Sequence, residues 1–406
     1  QEEVASALQK FRNIHNASTL PIHEPGIPTV RIEDMVSSTS IDDYKVGVIC
    51  ALPLERTAVE SMLDSYHDLQ PTAPGDNNMY SFGSIGKHNV GLASLGSGSY
   101  GTVSASGVAN DMRQSSPGVK FSLMVGIAGG APRPTAKDGD IRLGDVVVGC
   151  VNGVPSGINY RLGKETSTGF DIRSELAEPP EALQRAVSAL KTQHQREGPT
   201  YLKHLDAMIR RNPCLDRPQI SVDYYDQPQV PDYLFEADFV HPQDAADCER
   251  CRESMECVVT RGPRFLRDPP AEVETAKFIK LRDDRFADYP SVHYGTITSA
   301  DTLMKDAKER DTVCQRLERQ RKADVLCFEI EAAGIVKGWP CLVVRGIYYY
   351  SDSHKNDAWQ NFAAATTAAY AKNLLLLIPP EMVTKSPRAN DVIDEGKLKP
   401  PPRLSP

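Results

Sequence analysis

Carboxylates, glycine–serine turns and phenols stand at the ends of apolar runs in this chain, where α/β proteins commonly place their chemistry. Glu55 follows "KVGVICALPL", which reads as a buried strand. A carboxylate just past a strand end can polarise a water or hydroxyl as a general base, or simply sit at a helix N-terminus and interact with the dipole. "GSGSYGT" sets Gly98 and Gly101 beside Ser97, Ser99 and Thr102 at a helix start, so backbone N–H groups can approach an anion or a sugar oxygen; a flexible turn is the alternative. "CFEIEAAG" carries Glu329 and Glu331, which period-two alternation puts on one face. One of them can accept hydrogen bonds from both hydroxyls of a ribose; the alternative is two solvated acids at the start of a surface helix. In "CLVVRGIYYYSDSHKND" a core strand opens into Tyr348, Tyr349 and Tyr350, then Ser351, Asp352, Ser353, His354 and Lys355.

The elements that must hold these groups can be read from periodicity. "ERTAVESMLDSY" predicts a helix after the first strand, and "YSFGSIGKHNVGLASLG" predicts a hairpin with turn glycines. "GTVSASGVANDMRQ" is a small-residue helix, "KFSLMVGIAGGAP" a strand ending in a glycine turn, and "IRLGDVVVGCV" another strand. "PPEALQRAVSALKTQH" is amphipathic. Proline, Asp, Arg and a cysteine cluster make 195–288 irregular, an insertion or lid. Regularity returns with "SVHYGTITSA", "TLMKDAKERDTVCQRLERQ", "DVLCFEIEAAGIVKGW" and a last helix, "AWQNFAAATTAAYAKNLLLLI". Alternating helices and uniformly apolar strands predict an α/β fold, a central mixed β-sheet flanked by helices on both faces. The expected divisions are an N-terminal extension at 1–42, one domain over 43–380 and a disordered proline-rich tail at 381–406.

Composition narrows the function class. A net charge of −8 over 406 residues argues against a general nucleic-acid binder. No apolar run approaches the roughly 18 residues of a membrane span. Gln1 opens a polar segment without a secretory pattern, and its not being Met points to a trimmed N-terminus. Nine scattered cysteines suit a reducing compartment, so the chain is expected in the cytoplasm. Cys248 and Cys251 in "CERC", with Cys257 close by, have metal-like spacing. A zinc site needs four ligands, however, and a second close pair is missing, although His241 could serve as a fourth. A plain surface loop is the expected reading there, and no metal or cofactor is assigned.

Taken in order, "ALPLE", "GSGSYGT", "VGIAGGAP", "HYGTITSAD", "CFEIEAAG" and the tyrosine-rich segment resemble the nucleoside phosphorylase superfamily. That superfamily includes purine nucleoside phosphorylase, uridine phosphorylase and methylthioadenosine nucleosidase. The resemblance covers roughly 42–165 and 288–378 and is strongest to the divergent fungal branch, often the N-terminal domain of NLR-type receptors. It implies that Glu55 activates the attacking water and that Ser97, Gly98 and Gly101 form the phosphate- or water-binding loop. Gly129 would shape the pocket floor. Ile330 would pack on the sugar and Glu331 would hold the ribose hydroxyls. Ser299 and Leu303 lie in the segment that wraps the base, with Leu303 where an aromatic often stacks, and Asp301 is expected to cap the following helix. It further implies a small-molecule substrate, no nucleic acid or membrane partner, no cofactor, and a homo-oligomer, a dimer in the simplest case. The phosphorylase arginines that hold inorganic phosphate are not located, which favours water as the acceptor.

One position departs from the pattern. The superfamily ends its strand with an Asp that protonates purine N7; here that position is Tyr349, and Tyr348 stands where a small residue or Cys is usual. General acid catalysis contributes about 10²–10⁴-fold, and a phenol with a pKa of about 10 is a poor proton donor at neutral pH. Asp352 is the nearest carboxylate that could replace it. Three readings are open: an N-ribosyl hydrolase of a purine nucleoside or nucleotide; a repurposed fold whose phenols stabilise another cation in a cyclisation or rearrangement; and a catalytically dead ligand-sensing module.

Overall fold

The computed structural model describes residues 40–134, 139–216 apart from 152 and 168, 290–396 apart from Lys337, and, between them, 225, 228, 230–242, 248, 251 and 254–261. The N-terminal extension, save its last residues, much of the 195–288 insertion and the end of the tail lie outside the described residues. The strands are β1 (Val46–Cys50), β2 (Ser65–His67), β3 (Ser81–Ile85), β4 (His88–Ser94), β5 (Phe121–Gly130), β6 (Val146–Val148), β7 (Gly157–Thr166), β8 (Gly169–Glu175), β9 (Val292–Tyr294), β10 (Thr296–Ser299), β11 (Val325–Glu329) and β12 (Cys341–Tyr349). The helices are α1 (Pro53–Glu60), α2 (Gly101–Ser115), α3 (Glu181–Glu197), α4 (Leu202–Arg211), α5 (Ala307–Arg321), α6 (Ala332–Ile335), α7 (Gln360–Leu377), α8 (Pro380–Lys385) and α9 (Ala389–Asp394).

The strands form one mixed sheet. β5 lies at its centre, parallel to β1 on one side and to β12 on the other, while its last residues pair antiparallel with β11. Every residue of β1, β5 and β12 is buried, which explains why these runs read as continuously apolar: both faces are covered. Alternation divides their side chains between two cores. Val46, Val48, Leu123 and Val125 share a cluster with Ala58, Leu183, Leu205 and Phe362, so α1, α3, α4 and α7 cover one face. Ile49, Met124 and Ala128 pack with Ala105, Met112 and Ala333, so α2 and α6 cover the other. The expected fold class is the one observed.

Differences from the sequence expectations are local. The β7–β8 hairpin was not anticipated, because much of it is exposed and charged and lacks an apolar run. α4 begins the region read as irregular; Leu202, Leu205, Met208 and Ile209 bury one face of it. The tail expected to be disordered from 381 instead forms α8 and α9, because Val383 and Ala389 are buried and Lys120 Nζ donates to Ser386 O at 2.7 Å. The surface loop expected at the cysteines is corrected too: Cys251 is 1% and Cys248 8% exposed, packed with Phe235. Among the described residues no single helix is long and apolar enough to cross a membrane; the most apolar, α7, is the buried core helix of one layer.

Candidate functional site

The site forms where the ends of β1 and β11 meet the middle of β5 and β12. Leu52 turns the chain out of β1, Pro53 starts α1, and the Glu55 side chain folds back over the helix start. Its Oε2 accepts from the N–H groups of Ala51 (2.7 Å) and Leu52 (2.9 Å), and its Oε1 from Ile127 N–H on β5 (2.8 Å). Three backbone donors fix this carboxylate between the end of β1 and the middle of β5. Burial raises its pKa above the usual carboxylate value, against the opposing pull of Arg345 and of those N–H groups.

Arg345 is the centre of the arrangement. It lies in the middle of β12, fully buried. One terminal guanidinium nitrogen, Nη2, contacts Glu329 Oε2 at 2.5 Å and Glu331 Oε2 at 3.6 Å. The guanidinium also lies against Gly126 of β5, where an added Cβ would collide with Arg345 and stand 2.6 Å from Glu55 Oε1. Gly126 therefore permits Glu55 and Arg345 to meet on the sheet. Glu329 ends β11, and its carboxylate accepts from Glu331 N–H (3.1 Å) and Ala332 N–H (2.9 Å) at the start of α6. Glu331 stands just before α6 and is 5% exposed. Burial first, then the negative charge of Glu329, pushes its pKa up to about 8, with Arg345 opposing. Glu329 and Glu331 thus pair with one cation whose charge Glu55 also feels, and burial favours the protonated form of Glu331.

The glycine–serine loop is placed differently from expectation. Ser97 and Gly98 are exposed, and Gly101 opens α2. The start of that helix is already occupied by a carboxylate of the chain itself: Asp301 Oδ1 accepts from Thr102 N–H (2.7 Å) and Thr102 Oγ1–H (2.8 Å). An Asp at a helix N-terminus satisfies free N–H groups and the dipole, so the two Thr102 donors are taken. The expectation that Asp301 caps the following helix is corrected: Asp306 caps α5 through Lys308 N–H (2.9 Å) and Glu309 N–H (3.1 Å). Gly101 does approach Ile330, since a Cβ there would lie 3.9 Å from Ile330 O. Ser299 is fully buried and its Oγ accepts from Ala333 N–H at 3.0 Å, tying β10 to α6. Leu303 is 42% exposed.

The phenols close the other side. β12 slips register against β5 between Ile347 and Tyr349, so that Ile347 faces Ala128 and Tyr349 faces Gly129. One extra residue on one strand switches the faces of the side chains after it. Tyr348 and Tyr349 accordingly join the core cluster of Val344, while Ile347 belongs to the opposite one. The Tyr349 ring lies against Gly129, where a Cβ would stand 2.7 Å from the ring. Its hydroxyl donates to Met304 O at 2.9 Å, and burial raises its pKa far above that of a free phenol. Tyr348 is the phenol that feels the charges of both Glu55 and Glu331; it too is raised, chiefly by burial, and Lys355 Nζ lies 5.2 Å from its ring centre. Asp352 accepts from His354 N–H at 3.0 Å; burial raises its pKa, against the opposing charge of Arg310. Tyr350 accepts from Arg261 Nη1–H at 2.8 Å and donates to Asp232, tying the insertion to the strand end.

The cavity beside these rings, lined by Tyr348, Tyr349, Tyr350, Asp352 and Trp359, measures about 40 Å³. That is close to the roughly 30 Å³ share of one water and far below the roughly 300 Å³ at which small-ligand pockets begin. A larger cavity of about 750 Å³, bordered by Lys120, Glu178 and Arg185, contains none of the residues named here as site candidates. The sequence reading thus brings Glu55 and Glu331 together, and Gly129 with Tyr349, but does not bring Asp352 to the carboxylates. It missed Arg345 and Glu329 as the buried counter-charges. The available signal was an arginine inside an otherwise apolar strand, which requires a carboxylate partner.

No family model matches the chain. Over 346 residues it is 34% identical to a protein of Hyaloscypha variabilis described as a nucleotide-binding leucine-rich repeat (NLR)-like protein; the match takes in 85% of this chain and 30% of that protein. The chain therefore spans less than a third of that relative's length. Among solved structures it is similar to the futalosine hydrolase of Helicobacter pylori (15% identity, 82% of this chain and 97% of that one, TM-score 0.47). It is similar also to the 5'-methylthioadenosine/S-adenosylhomocysteine nucleosidase of Neisseria meningitidis (14% identity, 82% and 99%, TM-score 0.45).

Proposed function

We propose that this chain, nucleosidase-like in fold, binds the sugar of a nucleoside or nucleotide and retains N-ribosyl hydrolase chemistry only toward leaving groups that depart without a proton. The observation that carries this reading is the contrast between its two sides. Glu55 and Glu331 meet around Arg345, while the Tyr349 hydroxyl donates away from them to Met304 O. In the proposed cycle Glu331 accepts hydrogen bonds from the ribose hydroxyls. Glu55, with a raised pKa, takes a proton from the water that attacks C1'. The C–N bond breaks through an oxocarbenium-like state, and the base must carry its electron pair away unaided, because a deeply buried phenol with a raised pKa does not protonate it. We take water rather than phosphate as the acceptor, because the Asp301 carboxylate holds Thr102 N–H and sets a negative charge at the α2 start. The ligand is a small molecule, and the working state is a cytoplasmic homo-oligomer, a dimer in the simplest case.

The test compares leaving groups. With wild-type chain, 4-nitrophenyl riboside should be hydrolysed, while adenosine, AMP and ATP release adenine at or near background by HPLC. Tyr349→Asp should raise adenine release by about 10²–10⁴-fold, the usual worth of a general acid, with little change on the nitrophenyl riboside; Glu55→Gln should abolish both. Adenine release by the wild type as fast as nitrophenol release would refute the missing-acid argument. Failure of Glu55→Gln to slow the nitrophenyl substrate would remove the water-activating role.

A further inference from the structure

The cysteine region of the insertion gathers metal-ligand atoms. One ring nitrogen of His241 and the Sγ atoms of Cys248 and Cys251 lie within 4.8 Å of one another. Ligands at about 2.3 Å (sulfur) and 2.0–2.1 Å (nitrogen) in a tetrahedron stand roughly 3.5–3.8 Å apart, so this spacing closes around an ion with sub-ångström movement. Chain path, not sequence spacing alone, produces the cluster. Phe235 and Val258 pair as an antiparallel bridge, with Glu236 N–H donating to Cys257 O (2.8 Å) and Val259 N–H to Leu234 O (2.8 Å), and Cys251 turns beneath that bridge through Ser254 N–H (3.2 Å). His241 is anchored from the other side, its N–H donating to Ser353 Oγ at 3.0 Å.

The chemistry of the donors is specific. Pro242 O can only accept, so its 2.9 Å contact with His241 Nδ1 places the proton there and the lone pair on Nε2. That outer bond is the kind that orients metal-ligating histidines. Two thiolates and an imidazole, drawn into an apolar nest of Phe235, Tyr233, Phe239 and Val258, suit a borderline-soft ion without redox chemistry. His354 adds an independent observation. It is 7% exposed, both ring nitrogens lack a hydrogen-bond partner, and its ring lies 5.5 Å from that of His241. It is a candidate for the fourth position.

We propose that His241, Cys248 and Cys251 hold a structural zinc-class divalent ion that fastens the insertion over the end of β12. Cys248 and His354 both line the small cavity beside the tyrosines, so the ion fixes the wall on the leaving-group side. This proposal is independent of the hydrolase reading, because a structural ion is required whether or not any glycoside is cleaved. The full chain, purified under reductant without chelator, should carry close to one zinc per chain by plasma mass spectrometry. Replacement by Co²⁺ should give a thiolate-to-cobalt band in the near ultraviolet. Cys248→Ser and Cys251→Ser should each lower bound zinc at least tenfold, while Cys214→Ser, an exposed cysteine, leaves it unchanged. Because those variants can fail to fold, the wild-type chain is also alkylated with and without chelator and mapped by mass spectrometry. Zinc should slow modification of Cys248 and Cys251 at least tenfold. Absence of the cobalt–thiolate band, equal alkylation in the two conditions, or a Cys248–Cys251 disulfide in the reduced preparation overturns the site.

Discussion

Arg345→Met tests the electrostatic core of the site most directly. The guanidinium is fully buried, ion-paired to Glu329 at 2.5 Å and Glu331 at 3.6 Å, and beside Glu55 at Gly126. Methionine keeps most of the volume and removes the charge. Taking one partner from a buried pair costs about 3–5 kcal/mol, because the other charge is left uncompensated. Here the orphaned carboxylates have an escape, which is to take up a proton. Each extra proton that the native variant holds relative to the unfolded chain tilts stability by about 1.4 kcal/mol per pH unit, downward as pH rises. The deficit should therefore be about 3–5 kcal/mol at pH 8 and smaller by about 2–3 kcal/mol at pH 6, if one such proton is added across the interval. Urea unfolding from pH 5 to 9 measures this, with Trp339 and Trp359, both buried, as fluorescence probes. A variant within about 1 kcal/mol of wild type at pH 8, or a deficit that stays flat with pH, would show that Arg345 does not neutralise these carboxylates.

Two further outcomes come from the same geometry. Glu331 has a folded pKa raised to about 8 against an ordinary 4.5, so its contribution to stability is complete below about 4.5 and is lost as pH climbs toward 8. Glu331→Gln, a neutral mimic, should match wild type near pH 4.5 and gain on it steadily up to pH 8; parallel melting curves across that window would contradict the shift. Asp301→Ala removes the acceptor for Thr102 N–H and Oγ1–H and should lower stability by about 0.5–2 kcal/mol. Sulfate should then raise the melting temperature of the variant more than that of the wild type, since only the variant frees Thr102 N–H and Oγ1–H and removes the carboxylate charge beside them; equal sulfate responses would count against the argument that Asp301 holds these donors.

Much of this arrangement was written locally. Uniformly apolar runs identified β1, β5 and β12 as strands covered on both sides, and the acids at or just beyond the ends of β1 and β11 marked Glu55, Glu329 and Glu331. The β7–β8 hairpin escaped notice because its outward residues are charged, so it lacks the dry pattern that advertises a strand. The choice between Asp301 and Asp306 as a cap could not be made by spacing, because Asp301 serves a helix almost 200 residues earlier in the chain.

The sequence by itself determined which segments are dry, which strand ends carry acids, and that a phenol stands where the related motif has a carboxylic acid. Only the tertiary structure decided who meets whom. It brought Glu55 and Glu331 to one arginine, gave the helix donors to Asp301, drew His241 to Cys248 and Cys251, and turned the Tyr349 hydroxyl to Met304. The reason is physical: side-chain alternation is a local property of one strand, but a one-residue slip against its neighbour reverses every face beyond it, and that slip is set by pairing across the sheet.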